Sequence, residues 1–167
     1  GLLLIRRQTF FEYIFQDIGW QLLRFRNIFS DYYRHTIMQS KYHNENVIKE
    51  IRAIASIEKK QPVFLYAHLN IPHPPYYYDS LARERPVDTI AYELKNKIEN
   101  PNTYLSYLKY TNDIIQSLVS EILTKEKGNA IIILIGDHGY RSNTTNAKYL
   151  FENMNAIYIP EYISKTP

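Results

Sequence analysis

Apolar positions recur at helical spacing in three stretches of the chain and form short unbroken runs in three others, which suggests an order of elements. Over residues 1–38, Leu2, Ile5, Phe10, Tyr13, Ile14, Ile18, Leu22, Phe25 and Phe29 keep helical period, predicting one or two amphipathic helices broken near Gly19. Such a basic amphipathic surface can lie on a membrane. Packing its stripe on a sheet is the commoner use of the pattern. Asn44 or Asn46 can cap a helix with an apolar face of Val47, Ile48, Ile51, Ile54, Ala55 and Ile57, ended by Gln61-Pro62. Pro62 then opens Val63 to Ala67, short and apolar enough for a central strand.

Further along, residues 80–102 read as a polar excursion with a short helix near Ile90 to Ile98. Tyr104, Leu105, Leu108, Thr111, Ile115, Leu118, Val119, Ile122 and Leu123 predict a long helix, with Lys125, Lys127 and Gly128 as a basic last turn and glycine stop. Ala130 to Ile135, uncharged and mostly β-branched, predicts a strand buried on both faces. Residues 140–152 form a polar loop or lid, and Asn155 to Ile159 before Pro160 predicts another strand. Strand, helix and parallel strand make a right-handed crossover, which turns the carboxyl ends of 63–67 and 130–135 to the same side. The expected architecture is α/β: a central, mostly parallel sheet flanked by helices. It forms one domain, with an N-terminal helical region over 1–43 and an αβ core over 44–167 that carries the site loops.

Composition narrows the function classes. At 167 residues, with 45% apolar and 22% charged residues, the chain has ordinary globular usage. A net charge of +3 without a basic cluster sets nucleic acid aside. With no cysteine, disulfides, thiolate metal sites and a cysteine nucleophile are excluded. No apolar run approaches the roughly 20 residues of a transmembrane helix. The chain starts at Gly1 on an apolar run and reads as a piece of a longer protein.

Two loops carry the candidate chemistry. Asp137-His138-Gly139 follows the 130–135 strand, where open α/β sheets place their ligand sites, and a carboxylate beside an imidazole suits zinc or manganese. Gly136 and Gly139 allow a sharp turn there. The plain alternative is a polar loop with Asp137 as a turn cap. The second loop, His68 to Asp79, has Pro72, Pro74 and Pro75, so it is stiff and extended and can hold His73 in one place. A loop histidine stacked among Tyr76, Tyr77 and Tyr78 is the alternative for His73. His68 fits a role orienting another ligand about as well as direct contact.

Taken together, AHLNIPHPPYYYD, YLSYLKYTNDII, IIILIGDHGYR and MNAIYIP resemble the carboxyl-terminal part of the sulfatase-like catalytic domain of the alkaline phosphatase superfamily, over about residues 60–160. The closest look is to the membrane-anchored branch with lipoteichoic acid synthases and phosphoethanolamine transferases. The resemblance implies that Asp137 and His138 are metal ligands and that His73 contacts the transferred group. Arg141 then helps hold an anion, or is a surface arginine. Tyr107, Tyr110 and Asn112 match structural positions of the family's helix. The implied activity is a metal-dependent hydrolase or transferase of phosphate or sulfate esters, including phospho-group transfer to a cell-envelope lipid or glycan. The metal is zinc or manganese, with calcium also open, and the placement is membrane-anchored and extracytoplasmic through an upstream segment. The family's nucleophile and a further acidic ligand lie upstream of the matching region, so this stretch alone is expected to be inactive. Thr9 and Thr36 have no strand before them. The competing reading is a catalytically silent binding domain of the same fold.

Overall fold

The computed structural model describes residues 30–141 and 151–164; the helices expected before residue 30 and most of the 140–152 loop lie outside these. The chain divides into two compact units, residues 1–40 and 41–167. Helix α1 (Ser30–Ser56) is followed by α2 (Val87–Lys95), α3 (Pro101–Lys125), β1 (Ile132–Ile135), β2 (Asn155–Tyr158) and the short α4 (Glu161–Ser164). No helix among the described residues is long and apolar enough to cross a membrane.

Within the second unit the core is helical. Tyr104, Tyr107, Thr111, Ile114, Leu118 and Ile122 recur at three- and four-residue steps and form the inward stripe of α3. Ile48 and Ile51 of α1 meet Leu118, with Val47, Leu69, Ile114 and Ile122 around them. Leu69 matters for the site, because it pins the start of the His73 loop into this cluster. Around the apolar contact, Arg52 pairs with Glu121 at 3.1 Å, and Lys59 with Glu126. Buried Thr111 satisfies its hydroxyl locally by donating to the Tyr107 carbonyl at 2.9 Å.

Asn100 caps α3, its side-chain oxygen accepting from the amides of Asn102 and Thr103, and Pro101 takes the first helical position, where a missing N–H costs nothing. The other end closes through Lys127 and Gly128, both at positive φ. Gly128 takes φ 78°, a conformation in which glycine is unstrained, and its amide bonds to the Leu123 carbonyl at 2.8 Å. From β2, Tyr158 donates to the Gly128 carbonyl at 3.4 Å, tying this turn to the sheet.

Three expectations are corrected. First, α1 does not begin at Asn44 or Asn46. It runs through them from Ser30, and Asn44 is buried in mid-helix. Its polar side chain is bonded to another segment, so a residue that commonly caps a helix here serves tertiary structure instead. Second, Val63 to Ala67 forms no ladder among the described residues: Phe64 is 92% and Tyr66 76% exposed. An apolar run reports a demand for burial, and strand formation also needs a neighbour to supply hydrogen bonds. Third, β1 is neither parallel nor covered on both faces. It pairs antiparallel with β2, Ile132 opposite Tyr158 and Ile135 opposite Asn155, leaving Ile133 and Ile135 exposed. A two-stranded ladder has no third strand to bury it, so the expected parallel sheet is not formed among the described residues.

Candidate functional site

β1 delivers Asp137 and His138. After Ile135 the ladder makes one more bond, the Gly136 amide to the Met154 carbonyl at 2.8 Å, and the Asn153 side-chain amide donates to the Gly136 carbonyl. The root of the loop is therefore fixed from both sides. The backbone bends at Asp137 and His138, and among the described glycines only Gly128 has positive φ.

The His138 ring places Nδ1 2.7 Å from the Gly139 carbonyl, which can only accept, so Nδ1 carries the proton. In the neutral ring Nε2 then presents its lone pair, and it lies 3.7 Å from Asp137 Oδ2. The Asp137 side chain is 81% exposed and that of His138 26%. Two ligand atoms each about 2.1 Å from a tetrahedral cation stand about 3.4 Å apart, against 3.7 Å between the two atoms here. A backbone carbonyl holding the far nitrogen is also how ligating histidines are commonly oriented.

His73 repeats this arrangement. Its Nδ1 donates to the Pro74 carbonyl at 2.6 Å, leaving Nε2 as the outward acceptor of an exposed ring. His68 differs: its Nε2 is engaged with Asn70 Oδ1 at 3.1 Å, the bond of a residue that shapes the loop. Arg141 is exposed. Among the described residues no group of three or more histidines and carboxylates gathers around one point, and His73 is not part of a cluster with Asp137 and His138.

What the two loops share is α3. Tyr140, two residues past His138, stacks on Tyr104 with centroids 4.0 Å apart, and Tyr76, three past His73, lies 6.2 Å from the same ring. The contacts continue from Tyr76 to Tyr107 (5.6 Å), from Tyr107 to Tyr110 (5.7 Å) and from Tyr110 to Tyr78 (4.6 Å). One helix face thus carries both loops. The sequence showed the tyrosines but not their partners, because aromatic spacing along a loop says nothing of what the rings meet.

These rings also set a pH limit. Burial raises the hydroxyl pKa of Tyr76, to about 12, and raises those of Tyr104, Tyr107, Tyr110 and Tyr78, the last helped by its bond to Glu45. A folded pKa above the unfolded value of about 10 means that the contribution to stability is whole below pH 10 and is lost as pH rises beyond it. Alkaline titration is therefore expected to show exposed tyrosines ionising near pH 10 and a second set ionising only as helical circular dichroism disappears. A single non-cooperative tyrosinate transition with the helices intact would contradict this packing.

The loop between His73 and α2 is rigidly built. Asp79 accepts from the amides of Leu81 (2.9 Å) and Arg83 (3.0 Å) and from the Arg83 guanidinium (2.7 Å). The Arg83 amide first, then the Leu81 amide and the guanidinium, hold its carboxyl below the usual range. Arg85 donates to the Tyr76 carbonyl at 3.0 Å and to Glu93 at 2.6 Å, and the Ser80 amide donates to Ser106 at 2.8 Å.

The sulfatase family's sequence profile matches residues 3–159. No curated protein matches the chain. No solved structure matches it.

Proposed function

Because the chain belongs to the sulfatase family, an α/β family of enzymes acting on sulfate or phosphate esters, we propose that residues 1–167 supply the metal pair and the group-contacting histidine of a metal-dependent hydrolase or transferase. The observation that carries this reading is the Asp137–His138 pair, Oδ2 and Nε2 3.7 Å apart with the ring's other nitrogen tethered.

In this reading Asp137 Oδ2 and His138 Nε2 would hold a divalent cation, zinc or manganese, which when bound would offset charge on the ester's non-bridging oxygens and lower the pKa of the nucleophile. His73 Nε2, when protonated, hands its proton to the leaving oxygen or donates to a non-bridging oxygen, while its tethered Nδ1 keeps the ring aimed. Arg141 offers its guanidinium fork to the anion. His68, bonded to Asn70, shapes the His73 loop. The nucleophile and a further acidic ligand belong to an upstream part of the same, partial domain, so this stretch alone is inactive. The same proposal includes membrane anchorage, an extracytoplasmic placement and a lipid-linked phosphate ester of the lipoteichoic acid synthase or phosphoethanolamine transferase type.

The test is metal analysis of the full-length protein with hydrolysis of an aryl sulfate and an aryl phosphodiester, since fold alone does not separate these chemistries. His73→Ala is expected to lower kcat by about 10²–10⁴-fold, the usual worth of a positioned acid or base, with bound metal unchanged. Unchanged kcat removes His73 from the site. Protein that takes up no metal and cleaves neither ester speaks for a silent binding domain.

A further inference from the structure

The His73 loop is held by three consecutive residues of α1. His43 Nε2 donates to the His68 carbonyl at 3.1 Å, Asn44 Oδ1 accepts from the Asn70 amide at 2.7 Å, and Glu45 Oε1 accepts from the Tyr78 hydroxyl at 2.6 Å. His68 and Asn70 precede His73 and Tyr78 follows it, so one helical turn grips the loop on both sides of the imidazole. The grip is reinforced at its far end, where the Lys41 ammonium bonds Glu84 at 2.9 Å, lies 3.4 Å from Glu45 and sits 5.4 Å from the Tyr78 ring. Asn44, Glu45, Ile71, Tyr77, Tyr78 and Tyr110 line one small recess between helix and loop.

Asn44 is the unusual member. It is 5% exposed and lies in mid-helix, where asparagine is a poor helix former, and its Nδ2 is buried with no hydrogen-bond partner in the structure. Local propensity and polar satisfaction both disfavour this residue, and the bond to the Asn70 amide is what the position gains from it. The Asn70 amide lies three residues before the imidazole, close enough for its placement to set that of the ring.

We infer that His43, Asn44 and Glu45 are positioning residues for His73, with Asn44 the principal one: its carboxamide oxygen fixes the backbone from which the imidazole is presented. This rests on the reading of His73 as a site residue. A displacement of about 1 Å at such a group costs on the order of a hundredfold in rate, so loss of the anchor acts on turnover before it acts on binding.

The experiment is steady-state kinetics and metal analysis of the full-length protein with Asn44→Leu, which fills the same space without an acceptor, and Asn44→Asp, which restores one. Asn44→Leu is expected to lower kcat by about 10–100-fold with KM and bound metal near the parent values, and Asn44→Asp to recover most of the loss. Parental kcat in a folded Asn44→Leu protein overturns the inference, as does an Asn44→Asp variant no better than Asn44→Leu. Should Asn44→Leu fail to fold, Tyr78→Phe, which cuts the opposite anchor, is expected to lower kcat at least about fivefold, and an unchanged kcat overturns the inference. An inactive His73→Ala beside a fully active Asn44→Leu sinks the inference alone; an active His73→Ala sinks the reading of the site beneath it.

Discussion

Asp137→Ala in the full-length protein is expected to lower turnover by more than about 10³-fold and to release its metal, because the cation loses one of its few protein ligands and several kcal/mol of charge stabilisation leave the transition state. The exposure of the side chain makes the prediction a clean one. Among the described residues Asp137 makes no contact that the core depends on, so the melting temperature of the metal-free protein should stay within a degree or two of the parent's. His138→Ala should behave alike for metal and turnover. Near-parental activity in either variant, measured with the metal content of the same sample, would reduce the pair to a polar turn. Loss of activity with metal fully retained would also count against ligation.

The largest effect on stability is expected in the middle of the tyrosine contact chain. Tyr107 is 1% exposed and touches Tyr76 and Tyr110, so Tyr107→Ala removes a full ring from the unit's interior. Large aromatic truncations of this kind cost about 3–5 kcal/mol. In a unit of this size that is a fall in melting temperature on the order of 10–20 °C. Tyr107→Phe keeps the ring and should fall by less than half as much. If Tyr107→Ala melts like the parent by calorimetry, the ring does not hold Tyr76 in place, and the support drawn for the His73 loop goes with it.

How much of this was legible in the sequence depends on whether a signal was local. The loop of Asp137-His138 after an apolar run, and the loop of a histidine among prolines, could be located because the features that mark them lie in adjacent residues. So could α3, from its periodicity, and the two strands, from short uncharged runs that are mostly β-branched in β1. Asn44 misled because asparagine before an apolar stripe is a capping signal, whereas here its partner is an amide 26 positions away. Val63 to Ala67 misled for the opposite reason: its composition fits a strand, but pairing is a property of two segments. The tyrosine contacts were invisible in kind. Tyr76, Tyr104 and Tyr140 carry no mark in sequence that they share one neighbourhood.

The shared ring of Tyr104 has a mechanical meaning. Tyr76 and Tyr140 both rest against it, one from the loop of His73 and one from the loop of Asp137-His138. A single aromatic side chain thereby acts as the common datum from which both groups are measured.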